Sequence, residues 1–127
     1  MRKFIFVVTA SMFLLPGICS ADESARYQVK AGQPYETVRI ELIGHGYQPV
    51  HLKHSKSDSL CQGSGVCERY PEVIDCAGTG VNPCSFAFTR MRDRKYFIVF
   101  THGEERLIVD QMLEATENEV KDIRGHQ

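Results

Sequence analysis

Residues 84–112 read CSFAFTRMRDRKYFIVFTHGEERLIVDQM, and their periodicity decides the fold. Cys84, Phe86 and Phe88 alternate with Ser85, Ala87 and Thr89. That period of two marks a half-buried strand, because successive side chains of an extended chain leave opposite faces. The polar run RMRDRK then turns the chain into Tyr96 to Thr101, whose nearly continuous apolar character predicts a central strand. His102-Gly103-Glu104-Glu105 returns it into a third strand over Arg106 to Met112. Three consecutive strands joined by short polar turns form an antiparallel meander.

Working upstream, Pro34 stands where a helix over 34–43 has its first position, since the missing N–H is no loss there. Glu36 in the first turn suits the positive end of the helix dipole, and Gly44 is placed as a stop. Val38, Ile40 and Leu42 also alternate with Arg39 and Glu41 as in a strand, and the end signals decide for the helix. A short strand is expected over Tyr27 to Val29, another over Tyr47 to Leu52 with Pro49 near an edge. A surface loop is expected over Lys53 to Gly65, and a helical turn entered at Pro71 over Glu68 to Ile74. The fold class is therefore α+β: one N-terminal helix packed on a small antiparallel sheet with a C-terminal three-stranded meander, tied by two disulfides. Burying the helix against one sheet face, at roughly 25 cal/mol per Å² of apolar area, supplies the core. Beyond Leu113 the sequence EATENEVKDIRGHQ carries only Val120 and Ile123 as apolar anchors. Residues 114–127 are expected to be a charged, flexible tail on a single domain spanning 22–113.

The N-terminus reads as an export signal over residues 1–21. Arg2 and Lys3 precede an apolar run from Phe4 to Leu15, too short for the roughly 20 residues a spanning helix needs. Pro16 and Gly17 break it, and Cys19-Ser20-Ala21 offers small residues for cleavage before Asp22. A lipoprotein reading would lipidate Cys19, but Ile18 occupies the position where that processing favours a small residue, so no stable membrane anchor is expected. The expected address is periplasmic or secreted. The full chain of 127 residues carries a formal charge of −1 and loses two bases with the leader, which suggests no bulk attraction to nucleic acid.

Cys61, Cys67, Cys76 and Cys84 then remain, an even set that reads as a disulfide framework in an oxidising compartment. Three connectivities are open. The sequential one, Cys61 with Cys67 and Cys76 with Cys84, is preferred because CQGSGVC and CAGTGVNPC both contain the glycines that let a short loop fold back. Zinc is the competing reading, and these gaps exceed the two to four residues usual between paired ligands. No metal and no cofactor are expected.

The chemistry candidates each have a plainer alternative. His51 and His54 stand three apart, which on a strand places them on opposite faces, so solvent-exposed histidines are the better reading. His102 beside Glu104 and Glu105 has the residue types of a general acid/base set, yet a hairpin turn needs polar residues anyway. No serine lies in a nucleophile elbow, and the glycines of Cys76-Ala77-Gly78-Thr79-Gly80 lack the Lys-Ser/Thr of a phosphate cradle. Arg90, Arg92, Arg94 and Lys95 form the densest charge cluster. They serve either as a solvated turn that discourages edge-to-edge sheet pairing or as the contact for an acidic partner surface. Absence of interleaved aromatics argues against single-stranded nucleic acid.

The run Tyr70-Pro71-Glu72-Val73, then Cys76-Ala77-Gly78-Thr79-Gly80, Cys84-x-Phe86-x-Phe88 and Phe97-x-Val99-x-Thr101-x-Gly103-Glu104, resembles a family of small exported proteins of Gram-negative bacteria with no assigned activity. The element order is also similar to the helix-on-sheet modules of β-lactamase-inhibitor-like and outer-membrane-assembly lipoproteins. Fold does not settle function. The expected function is a non-enzymatic binding module with a protein partner in the cell envelope, of the inhibitor or immunity kind. Its contact residues are expected to be Gly78, Thr79, Gly80 and Asn82, or Arg90, Arg92 and Arg94. The alternatives are an envelope-assembly or structural accessory protein and, behind it, a small hydrolase or metal enzyme built on His102.

Overall fold

The computed structural model describes residues 27–54, 65–77 and 80–125, with side chains described as far as Lys121. The expected leader, Cys61, Gly78 and Thr79 lie outside the described residues.

The meander forms the frame. β3 (Cys84–Arg90), β4 (Lys95–His102) and β5 (Ile108–Ala115) pair antiparallel in chain order. Two short strands lie end to end along the other side of β3. β1 (Tyr47–Pro49) pairs with its Phe88 to Arg90 end, and β2 (Val73–Cys76) with its Cys84 to Phe86 end. The sheet thus has five strands, and Pro49 sits on a short edge strand, where its missing N–H is tolerated.

The helix α1 (Tyr35–Gly44) packs Tyr35, Val38 and Leu42 onto one sheet face. Pro34 caps this helix from an extended conformation, φ −60° and ψ 137°, so the helix begins one residue later than its sequence signal. Phe86, Phe88, Val99 and Val109 meet it from the sheet. No strand forms over Tyr27 to Val29. Those residues instead lie against the core, with the Tyr27 hydroxyl donating to the Glu41 carboxylate and its ring stacked on His45 at 4.6 Å. Burial, and then the Glu41 carboxylate, push the Tyr27 phenol up to about 12.

Three further expectations are corrected. The segment 68–74 is not a helical turn: α2 (Val66–Arg69) ends just before Tyr70, and the chain runs on into β2. The cause is Pro71, whose ring disfavours helical geometry in the residue before it, and Tyr70 takes φ −132° and ψ 85°. Secondly, β4 is central as expected, paired with β3 and β5, but β3 is the more enclosed strand, with only Thr89 short of full burial. The face of Ser85 and Ala87, expected to meet solvent, is covered by a second cluster of Leu52, Ile74, Ile98 and Val120.

Thirdly, the charged tail is not a tail. β5 continues to Ala115, and α3 (Glu117–Gly125) folds back beneath the sheet with Val120 4% exposed. Its start is held by a reciprocal capping box. The Thr116 N–H donates to Glu119 Oε2 at 2.6 Å, and the Glu119 N–H donates to Thr116 Oγ1 at 3.2 Å. Among the described residues of α3, buried Val120 contributes about 1.5–3 kcal/mol to docking, and the cap adds to it.

Candidate functional site

The Cys76–Cys84 disulfide predicted from the sequence is present. The two residues are register partners across the β2 and β3 ladder, so the bond closes the loop 77–83 at the end of the sheet. Cys67 is disulfide-bonded as well; Cys61, its expected partner, is outside the described residues. Within the closed loop the Ala77 N–H donates to the Pro83 carbonyl at 2.9 Å. The loop is also pinned to the turn between β4 and β5. Asn82 Nδ2 donates to the Gly103 carbonyl at 3.3 Å, and the Gly103 N–H donates to the Val81 carbonyl at 2.8 Å.

Gly103 makes this junction feasible. Its φ is +118°, and a Cβ built there would lie 2.0 Å from the Arg106 carbonyl oxygen, so no other residue fits. Asn82 takes φ 50°, a left-handed conformation that asparagine tolerates. The described part of the loop, Gly80 to Pro83, is thus held against the β4 to β5 turn, with Val81 66% exposed.

Beside this loop opens a cleft of ≈ 380 Å³ between the start of α1, α2 and the β4 to β5 turn. The buried rings of Tyr35 and Tyr70 line it, and Glu36, Glu104, Glu105 and Arg106 surround them as exposed charges. Asn82 contributes to the same wall. Next to the two tyrosines lies a group the sequence reading missed. Glu72 is 0% exposed, and it accepts hydrogen bonds from the Tyr35 hydroxyl at 2.8 Å and from Arg39 Nε and Nη2 at 2.5 and 3.4 Å. Burial first, and then the Glu72 charge, hold the Tyr35 phenol well above its ordinary range. The hydrogen bond to Glu72 likewise raises the Arg39 guanidinium. The available signal was an acid enclosed by Tyr70, Val73 and Ile74, where burial demands a partner.

The cationic turn sits at the opposite end of β3, about 20 Å away at ~3.4 Å per residue. The two sets of residues named from the sequence therefore lie at opposite ends of one strand. Arg90, moreover, is not available to a partner. It is 6% exposed, lies 5.0 Å over the Phe97 ring, and forks onto Asp93 through Nε to Oδ1 at 2.9 Å and Nη2 to Oδ2 at 2.5 Å. Its side chain is buried at the end of the sheet while the guanidinium closes the turn. Arg92 and Arg94 remain exposed, and Lys95 is bound to Glu114 at 2.7 Å.

The hydrogen bond from Arg90 holds the Asp93 carboxyl down at about 2, aided by the Lys95 N–H and the Arg90 and Arg92 charges. A depressed folded-state pKa stabilises above the unfolded value of about 4 and loses that contribution as pH falls toward 2. Urea midpoints measured from pH 5 to pH 2 should therefore fall less steeply for Asp93→Asn than for the parent. Parallel curves would remove the Arg90 to Asp93 pair from the acid response.

His102 does not meet Glu104 or Glu105. Its Nδ1 lies 2.6 Å from Asp110 Oδ1 across the β4 and β5 ladder, and both side chains are about half exposed. His51 is exposed on the segment after β1 as expected, whereas His54, expected to be exposed with it, is half-buried. Among the described residues no group of three His, Cys, Asp or Glu side chains is placed to hold a metal, and no helix is long and apolar enough to cross a membrane. Comparison of the chain with protein-family models, with curated proteins and with solved structures finds no match.

Proposed function

We propose that this chain is an exported, non-enzymatic protein-binding module of the inhibitor or immunity kind, meeting a partner protein in the cell envelope. The contact is the end of the sheet where the Cys76–Cys84 loop meets the β4 to β5 turn. One observation carries this reading: Val81, a large apolar side chain, is presented to solvent on a loop closed by a disulfide and bonded to Gly103. A segment already held by hydrogen bonds, as Val81 and Asn82 are at Gly103, loses less entropy on association, and an exposed apolar side chain flanked by charge matches the anatomy of interface centres. The cleft beside it, with its tyrosine lining, would receive a side chain of the partner. The exposed pair Arg92 and Arg94 lies at the other end of β3 and serves as a solvated turn.

The test places a photo-reactive side chain at Val81 in one strain and at Arg92 in another, in cells that carry out export. A discrete adduct at Val81, weakened by Asn82→Gly, is the expected result. Mass spectrometry of the same material should show a mature chain starting at Asp22. An adduct at Arg92 alone, or no adduct with correctly processed protein, would move the contact elsewhere or remove it.

A further inference from the structure

The edges of this sheet differ. β1 is three residues long and ends in proline, and β2 is four residues with a break in register, so neither offers a template. β5 has eight residues. Its first part is covered: the Gly32 N–H donates to the Val109 carbonyl and the Val109 N–H to the Gln33 carbonyl, each at 2.8 Å. From Gln111 to Ala115 no described residue pairs with the outer side of β5. After Ala115 the chain turns into α3 beneath the sheet, and Gln28, Val29 and Ala31 stand beside Gln111, Met112 and Glu114 across a cleft, with no backbone hydrogen bond to them among the described residues.

The alternation of the ladder says which groups face outward. Val109 bonds outward, and the register shift at Asp110, where Thr101 pairs with Val109 but Phe100 with Gln111, advances the pattern by one. Met112 and Glu114 therefore direct their N–H and C=O groups away from β4. Leu113 between them is a large apolar residue, 49% exposed.

We propose that this edge pairs antiparallel with the same edge of a second copy of the chain, about a two-fold axis through Leu113. Charge selects the axis. Placed at Leu113, it sets Met112 of each copy opposite Glu114 of the other, and Asp110 opposite Thr116. Moved to Met112 it would oppose Asp110 with Glu114, and moved to Glu114 it would oppose that carboxylate with itself, which cross-strand pairing penalises. Glu114 is already held by Lys95 at 2.7 Å, so its charge is partly met before docking. Leu113 meets its own copy in a pair without direct hydrogen bonds, the closer of the two antiparallel spacings at about 4.5 Å between Cα atoms. The contact is isologous, as closed dimers require. Five residues of edge bury far less than the roughly 1,600 Å² of a stable complex, so the dimer is reversible and dilutes apart. It leaves the Val81 end of the sheet free.

The test uses the oxidised full-length mature protein. Sedimentation velocity over serial tenfold dilutions should show a monomer to dimer transition, abolished by Leu113→Lys with the circular dichroism spectrum unchanged. In mild oxidant Leu113→Cys should link to itself far faster than Gln111→Cys, which the axis places opposite Ala115. A monomer at every concentration, equal linking at the two positions, or linking of Leu113→Cys only to a different protein would each overturn the pairing.

Discussion

Replacing Arg39 by methionine is expected to lower folding stability by about 3–5 kcal/mol, the usual consequence of removing one partner from a buried ion pair. The reason lies in Glu72, whose side chain is 0% exposed and whose carboxylate is held by Arg39 and Tyr35 alone among the described hydrogen bonds. Without the guanidinium, a charge stays out of water with one hydroxyl to solvate it. Arg39 itself, 25% exposed along its side chain, loses little by leaving. The double variant Arg39→Met with Glu72→Met should recover most of the loss, since the pair's attraction is largely offset by the desolvation of both groups. Tyr35→Phe should cost only about 1–3 kcal/mol, as Arg39 still satisfies the carboxylate. Urea unfolding at neutral pH reads all three, provided the slope is unchanged. An Arg39→Met midpoint equal to that of the parent would mean that water reaches Glu72.

Phe86→Ala is expected to cost a similar 3–5 kcal/mol, through lost transfer energy and the cavity left behind. Phe86 is 0% exposed at the middle of β3, stacked on Tyr35 with centroids 3.9 Å apart and edge-on to Tyr70 at 5.9 Å. Its ring is the support for both tyrosines that line the cleft. Its removal should therefore couple to Tyr35→Phe by about 0.5–3 kcal/mol in a double-mutant cycle, because the two side chains share one cavity and one network. Strict additivity of the two losses would separate the cleft from the core beneath it.

Much of this architecture was legible before any coordinates. The period of two over Cys84 to Phe88, the polar turn, and the apolar run from Tyr96 locate β3 and β4 to within a residue or two, while β5 runs Ile108–Ala115 against the expected Arg106 to Met112. Pro34, Glu36 and Gly44 bound α1 by purely local rules. The spacing of Cys76 and Cys84 around glycines anticipated their bond. The capping box at Thr116 and Glu119 was equally legible, and reading only the charge of the segment concealed it. The candidate site was less accessible. Asn82 and the turn at Gly103 are 21 residues apart in the chain, and only the β4 hairpin brings them together. Arg90 looked like one of four equivalent cations until its own turn placed Asp93 and Phe97 around it.

Local sequence determined, then, which segments extend, which coil and where the chain reverses, because those choices depend on dihedral preferences and on periodicities spanning a few residues. Tertiary structure alone decided which surfaces are covered. Ser85 and Ala87 became interior because Leu52, Ile74 and Val120 arrive from distant parts of the chain, and Glu72 became a buried charge because Arg39 and Tyr35 of α1 settle against it. Burial is set by what packs on a face, and no window of neighbouring residues contains that information.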